Sequence, residues 1–324
     1  MGKRMRPHTL TIPKPLIHVA GKPIVMRLVE EIGKVVGQQI EEIAFVTGHF
    51  GQKVEEDLLA IAENLGAKGH IVYQEVALGT AHAVLCAEQI LDGEVIVAFA
   101  DTLFKADFVL DTEKDSIIWV QKVNNPNAFG VVKKDANGII TDFVEKPKEF
   151  VSDEAIIGIY YFRDGQNLKN ELQFLIDNNI SKGGEFQLTD ALENMKNKGL
   201  KFYTGAVREW LDCGNKDATV YTNQRILVND FDPNYISKTL TTNNSIVIEP
   251  CFIGENVLIE NSIIGPFASI GNGCEIRNSL VENSILQEGC KITKAHLTNS
   301  MLGQYAEVNG KPHQLSLSDY STID

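Results

Sequence analysis

The tightest constraint on this chain is a short step that recurs through its C-terminal part. Ile253, Ile259, Ile264, Ile270, Ile276, Val281, Leu286, Ile292, Leu297, Leu302 and Val308 follow one another every five or six residues, with Gly after Ile253, Ile264, Ile270 and Leu302. Three steps make one coil, because Ile253, Ile270, Leu286 and Leu302 then lie 17, 16 and 16 residues apart. A second column keeps the same period: Val257, Cys274, Cys290 and Ala306 each fall four residues after a coil start, and all are small or apolar. A single coil cannot bury its own aliphatic residues, so the coils must stack on one another.

Such hexapeptide-like steps resemble those of the left-handed parallel β-helix, expected here over 246–308, with a linker at 229–245 and an irregular tail at 309–324. The stack is read as structural or oligomerising, which makes the chain an expected homo-oligomer. Coils of this kind also host acyl transfer, with His296 as the candidate. That residue shares a column with Ile263 and Leu280, so it is expected to be a partly buried histidine.

Before residue 240 the texture is different. Strand-like runs at 43–47, 70–73, 94–99 and 116–122 alternate with amphipathic segments, and 23–36 places Ile24, Val25, Leu28, Ile32, Val35 and Val36 on one helical face. This alternation predicts an α/β domain, Rossmann-like, with a mostly parallel sheet covered by helices on both faces. Its expected span is 1–228.

Composition narrows the chemistry. A chain of 324 residues with 44% apolar content can fill one large core and one smaller one. A net charge of -13 opposes a nucleic-acid surface. Five cysteines without metal-ligand spacing are expected to be reduced and mostly buried, and no apolar run approaches the roughly 18 residues of a membrane span. A cytoplasmic protein without membrane or nucleic-acid partners is therefore expected. Anionic substrates must be held by a few local cations, helix N-termini and a metal.

Several segments carry suitable groups. In Gly2-Lys3-Arg4-Met5-Arg6-Pro7 and Pro13-Lys14-Pro15-Leu16, a glycine loop lets backbone N–H groups approach phosphates, while Arg4 and Lys14 offset their charge. In Gln74-Glu75-Val76-Ala77-Leu78-Gly79-Thr80-Ala81 the amide of Gln74 can accept from a pyrimidine N3–H and donate to O4, which favours dTTP or UTP over GTP and leaves adenine open. Val97-Ala98-Phe99-Ala100-Asp101 delivers a carboxylate at the C-terminal end of a strand, and Trp210-Leu211-Asp212-Cys213-Gly214 supplies a second. Two carboxylates together with substrate phosphates suit Mg²⁺.

In this order, the segments resemble those of sugar-1-phosphate nucleotidyltransferases over about residues 1 to 228. The family string G-x-G-T-R-x-x-P-x-T is met from its second position, with Met1 on the x, Gly2 on the second glycine and Lys3 in place of threonine, P-K-x-x-x-P-V-x-G-K-P with His18 in place of the second proline, and Q-x-x-P-x-G-T-A with Ala77 in place of proline. Ala100 stands where the family has glycine before the first aspartate. The resemblance implies that Gly2, Gln74, Gly79 and Thr80 meet the nucleotide and that Lys14 contacts phosphate. It further implies that Asp101 and Asp212 hold Mg²⁺. Phe129-Gly130-Val131-Val132, Glu145-Lys146-Pro147, Gly158 and Gly184-Glu185-Phe186-Gln187-Leu188-Thr189-Asp190 match the segments that hold the sugar phosphate. By that match Gly130 and Gly158 let the sugar approach backbone, Glu145 accepts from its hydroxyls, Lys146 meets its phosphate and Glu185 shapes the pocket.

The implied reaction joins a nucleoside triphosphate to a sugar 1-phosphate and releases pyrophosphate, with glucose 1-phosphate and dTTP or UTP as the leading pair. Mannose 1-phosphate with GTP, and a non-catalytic homologue that only binds nucleotide sugar, are the alternatives. In this fold class a strand precedes the phosphate loop, yet here the loop begins at residue 1. The expectation is therefore of a start truncated by one strand, with in-frame codons upstream encoding it.

Overall fold

The computed structural model describes residues 3–230 and 232–311. The chain separates into two compact units. One takes 9–16 and 24–212; the other takes 3–8, 17–23, 213–230 and 232–311.

In the first unit a six-stranded sheet runs Phe202–Ala206, Ser116–Lys122, Glu154–Phe162, Gly130–Lys134, Ile140–Glu145, and Val95–Ala98 also pairs with Glu154–Phe162. The long strand is buried along nearly its whole length, as its β-branched and aromatic run requires. It lies antiparallel to three neighbours, whereas Phe202–Ala206 is parallel to Ser116–Lys122. Val95–Ala98, Ser116–Lys122, Gly130–Lys134 and Phe202–Ala206 therefore share one direction, and the long strand and Ile140–Glu145 are the two reversed members. Helices Thr80–Leu85, Gly165–Asp177 and Leu188–Asn197 bring Val84, Leu168, Leu172 and Leu192 to a core with Ile118, Val120, Tyr160 and Phe202. Asp164 caps the second of these helices by accepting from the Asn167 N–H at 2.9 Å.

A separate parallel pair, Glu42–Thr47 with Lys68–Tyr73, shares the core of Leu16, Val25, Phe45, Leu58 and Ile61. Helix Ile24–Val36 buries Ile24, Val25, Leu28, Ile32 and Val35 of the face read from its sequence, and Arg27 with them, while Val36 is half-buried. No described strand pairs with both Glu42–Thr47 and Val95–Ala98. A further antiparallel ladder joins Thr102–Lys105 to Glu209–Asp212.

In the second unit the coils stack as a left-handed parallel β-helix. Its three parallel faces place Ile259, Ile276, Ile292 and Val308 in one inward column, Ile264, Val281 and Leu297 in the next, and Ile253, Ile270, Leu286 and Leu302 in the third. Cys274 and Cys290 are fully buried between them. All five cysteines are free thiols, and burial raises that of Cys251 to about 11. Stacking already begins inside the segment expected as linker, where Ile236 bridges Ile253 and Thr241–Asn243 pairs with Leu258–Glu260. The latter rung carries no aliphatic residue and so left no periodic mark. Strand Glu307–Asn309 ends the stack; the tail from 312 lies outside the described residues.

The coil corners explain why asparagine recurs. Asn244, Asn261, Asn278 and Lys294 adopt φ of 45, 49, 50 and 54°, and Asn283 and Asn299 adopt 38 and 47° at another corner. This left-handed region is tolerated best by glycine and asparagine. Beside the first corner a serine ladder satisfies the turning backbone: the hydroxyls of Ser245, Ser262 and Ser279 accept from the N–H groups of Ser262, Ser279 and Ala295, each at 3.1 Å. One corner varies in length, with four residues between Val247 and Phe252 or Ile264 and Ser269, but three between Val281 and Ile285 or Leu297 and Met301.

One face of the coils is covered within this unit. Fully buried Asn223, on helix Lys216–Asn229, accepts from the Ala20 N–H at 2.8 Å and the Ser269 hydroxyl at 2.7 Å, and donates to the Phe267 carbonyl at 3.2 Å. Gly21 has φ +82, and a Cβ there would sit 2.1 Å from the Phe252 ring. The glycine is thus required by packing.

A second face is open, and here the expectation for His296 is corrected. Its side chain is 59% exposed and its Nε2 lies 3.5 Å from Glu282, while Ile263 in the same column is 39% exposed. In a two-residue strand one side chain goes in and its neighbour goes out; Leu297 takes the inward place.

Candidate active site

Strand Val95–Ala98 ends in a turn held by the Phe99 N–H on the Gly158 carbonyl at 2.9 Å and the Thr102 N–H on the Phe99 carbonyl at 3.3 Å. That turn carries Asp101, whose side chain is about half exposed. Lys14 opens the short turn Lys14–Leu16, anchored by buried Leu16. Its side chain is only 10% exposed, and the ammonium donates to Asp101 Oδ2 at 2.9 Å. Such a charge-assisted bond fixes both groups in a partly desolvated place.

Asp212 arrives by a different route. It ends strand Glu209–Asp212 and stands directly opposite Thr102, the residue after Asp101. The ladder is locked by the Trp210 indole N–H on the Thr102 hydroxyl. The Trp210 ring in turn meets Phe129 edge-on at 4.9 Å, which links this ladder to the strand beginning at Gly130.

There Gly130 faces Glu145 across the sheet, and a Cβ on Gly130 would lie 2.9 Å from the Glu145 carboxylate. Lys146 follows with φ +44, an uncommon conformation for a residue with a side chain, and its N–H donates to the Phe129 carbonyl at 3.1 Å. Its ammonium lies 3.5 Å from Glu145, both side chains remaining accessible. Behind them burial pushes the Tyr160 phenol up, and the Glu145 charge adds to the effect, so Tyr160 stays neutral. Gly158 has φ +86 at a register shift in the long strand, and a Cβ there would press on the Phe99 ring at 3.0 Å. Its positive φ and its packing against the Phe99 ring each call for glycine at this place beside the Asp101 turn.

The third group surrounds Gln74, which follows strand Lys68–Tyr73. Gly79, at φ +112, presses against the backbone of Phe186, where a Cβ would meet the carbonyl oxygen at 2.3 Å. The Thr80 hydroxyl accepts from the Leu188 N–H at 2.9 Å, and the Phe186 N–H donates to the Leu78 carbonyl at 2.7 Å. Glu185 is thereby brought beside this segment, its carboxylate accepting from the Gln187 amide at 3.0 Å. Gln74 departs from expectation in one respect. Its Nε2 lies 3.1 Å from the Gly79 carbonyl and 3.0 Å from His82 Nδ1, so both amide N–H groups are engaged inside the protein and neither is left for a pyrimidine O4. His82, absent from the sequence-based set, was marked only by its place in the turn after Gly79.

Arg4 lies exposed in the turn Lys3–Met5 of the other unit, and Gly2 lies outside the described residues. Among the described residues no cluster of three or more metal-ligating side chains occurs. Asp101, in the turn just before Thr102, and Asp212, paired with Thr102, are hard oxygen donors. This pair fits a Mg²⁺ whose remaining ligands are water and phosphate oxygens. No described helix is long and apolar enough to cross a membrane.

A family model described as nucleotidyl transferase matches residues 1–228. The chain is 28% identical to a low-salt glycan biosynthesis nucleotidyltransferase of Haloferax volcanii, over 95% of this chain and 91% of that protein. It is 27% identical to a glucose-1-phosphate thymidylyltransferase of Streptomyces antibioticus, over 100% of this chain and 96% of that one. Among solved structures, a UDP-glucose pyrophosphorylase from Acinetobacter baumanii superposes with a TM-score of 0.56 at 22% identity, covering 71% of this chain and 90% of that one, a likeness of fold.

Proposed function

Since this chain belongs to the nucleotidyl transferase family, we propose that it joins a nucleoside triphosphate to a sugar 1-phosphate and releases pyrophosphate. The observation that carries this reading is the junction at Thr102, where Asp212 stands opposite the residue after Asp101 and Lys14 reaches Asp101 at 2.9 Å. Two carboxylates and a buried ammonium on converging segments suit the handling of a triphosphate.

The sugar-phosphate oxygen attacks the α-phosphorus in line, and the bond to pyrophosphate breaks. A phosphate monoester is already nucleophilic at neutral pH, so positioning and charge stabilisation carry the rate. Asp101 and Asp212 would hold a Mg²⁺, which would neutralise phosphate charge. Lys14 exchanges Asp101 for the leaving phosphates. Gly130 gives the sugar room beside Glu145, which accepts from its hydroxyls, and Lys146 meets its phosphate. Gln74 accepts from the base above the segment Gly79-Thr80, and Glu185 closes the adjoining wall.

The favoured pair is glucose 1-phosphate with dTTP or UTP. The thymidylyltransferase relative from Streptomyces antibioticus supports it, and the accepting end of Gln74 suits the ring N–H of thymine and uracil, as it does that of guanine. The test is pyrophosphate release by the purified chain across dTTP, UTP, GTP and ATP with glucose and mannose 1-phosphates. Fastest release with GTP and mannose 1-phosphate replaces the pair, and nucleotide-sugar binding without release replaces the reaction.

The coils we read as the self-associating element, supported by Ile246 and Ile263 standing 58% and 39% exposed on the open face. Light scattering that gives the same number of chains per particle after deletion from Ser245 onward removes that role.

A further inference from the structure

Gln74 has a fixed polarity. Its N–H donates to the Thr47 carbonyl at 2.9 Å, which ties its main chain to the neighbouring strand. The Gly79 carbonyl 3.1 Å from one end of the side-chain amide can only accept, so that end must be nitrogen. The second amide hydrogen then points to His82 Nδ1 at 3.0 Å, which accepts it when the imidazole carries its proton on Nε2. Cys86, one helical turn on, approaches the same Nδ1 at 3.9 Å, and burial raises its thiol above the ordinary range, so it stays uncharged there. Gly79 itself is pinned on Phe186, which leaves little freedom in the Gly79 carbonyl.

We propose that His82 is a positioning residue for base recognition, holding the Gln74 amide so that the site offers its ligand one hydrogen-bond acceptor and no donor. The inference rests on the reading that Gln74 meets the base. An exposed acceptor suits a base with a ring N–H at that edge, as in thymine and uracil. It opposes cytosine, whose ring nitrogen there is itself an acceptor and repels Oε1. The nucleotide class is thus narrowed to bases with a ring N–H at that edge, thymine, uracil and guanine against cytosine and adenine, and the narrowing depends on a side chain that never touches them. Without the Nδ1 acceptor, only the Gly79 carbonyl resists a half-turn of the amide, and a turned amide presents donors to which cytosine can bind.

The test is equilibrium titration of UTP and CTP in the presence of Mg²⁺. The wild-type chain should prefer UTP, and His82→Leu should cut that preference about tenfold, the scale of one hydrogen bond to a buried group. His82→Asn, whose side-chain oxygen can take the place of Nδ1, should restore most of it. In turnover, the loss in His82→Leu should fall on the KM for UTP and leave the KM for glucose 1-phosphate alone, a split that general loosening of the helix does not give. A preference unchanged within twofold in His82→Leu, or unrestored in folded His82→Asn, overturns the inference. A second measurement needs no variant: 3-methyluridine triphosphate lacks the ring N–H and should bind the wild-type chain about tenfold more weakly than UTP. Equal binding overturns the inference as well. If no triphosphate binds the wild-type chain, the reading of the site falls, a result distinct from loss of His82's role alone.

Discussion

In the coils almost every inward residue has a like neighbour one turn away: Ile276 sits between Ile259 and Ile292, and Ser262 between Ser245 and Ser279. In the first unit the decisive contacts occur once each and join distant segments, as Lys14 does with Asp101, Trp210 with Phe129 and Thr80 with Leu188. A column spreads a defect over coils that can adjust together. A singular contact has no substitute nearby. The first arrangement suits a scaffold, and the second suits chemistry, where a group must stand in one place.

The contrast is tested most severely at the carboxylates. Asp101→Asn and Asp212→Asn should each slow pyrophosphate release by at least about 10²- to 10³-fold at saturating Mg²⁺, with melting temperatures close to wild type. A near-native rate in either variant breaks the claim of singularity at that residue. Next in size, Ile276→Ala opens a cavity in a fully buried column and should cost about 2 to 5 kcal/mol in urea unfolding, with turnover of the folded protein retained. Loss of turnover without loss of stability would show that the coils do more than hold shape.

Gly79→Ala should cost about 1 to 3 kcal/mol, because a side chain at φ +112 is strained and its Cβ meets the Phe186 backbone. Nucleotide KM should rise with it, whereas an unchanged melting curve would remove the strain argument. Smallest of all, Asn278→Gly should shift stability by a few tenths of a kcal/mol, and Asn278→Ala by about 1 kcal/mol, since alanine disfavours the left-handed corner. Equal melting temperatures for these two variants would detach the asparagines from corner geometry.

The two regions also differed in how much of them could be read beforehand. Periodicity alone found the inward aliphatic residues of the coils from Ile253 onward, because each is repeated at a fixed offset, and left out Ile236, Leu240 and Val247 of the first coil. It missed Thr241–Asn243, a rung without apolar residues, and it misplaced His296, because Ile263 and Leu280 form an aliphatic column that faces outward. A period reveals which residues share a column and leaves open which way the column points. In the first unit the order of motifs named Lys14, Asp101 and Asp212. Their meeting depends on the pairing of Thr102 with Asp212, a tertiary fact with no local signature. Gly158 and Gly79 were visible as glycines, but their reasons, the Phe99 ring and the Phe186 backbone, lie far along the chain. The polarity of the Gln74 amide was hidden for the same cause, being set by a carbonyl five residues on and an imidazole eight residues on.

The uneven corner of the coils bears on which changes of length such a chain can absorb. Four residues span it in the first two coils and three in the next two, yet the inward columns stay aligned through all four. Single-residue gains and losses at that corner are therefore silent for the register. Elsewhere only whole coils of 16 or 17 residues can be added or removed without turning an aliphatic column out to water. When related chains are aligned, gaps in this region should fall into those two sizes and at that one corner, and a gap placed inside a strand marks an error of alignment.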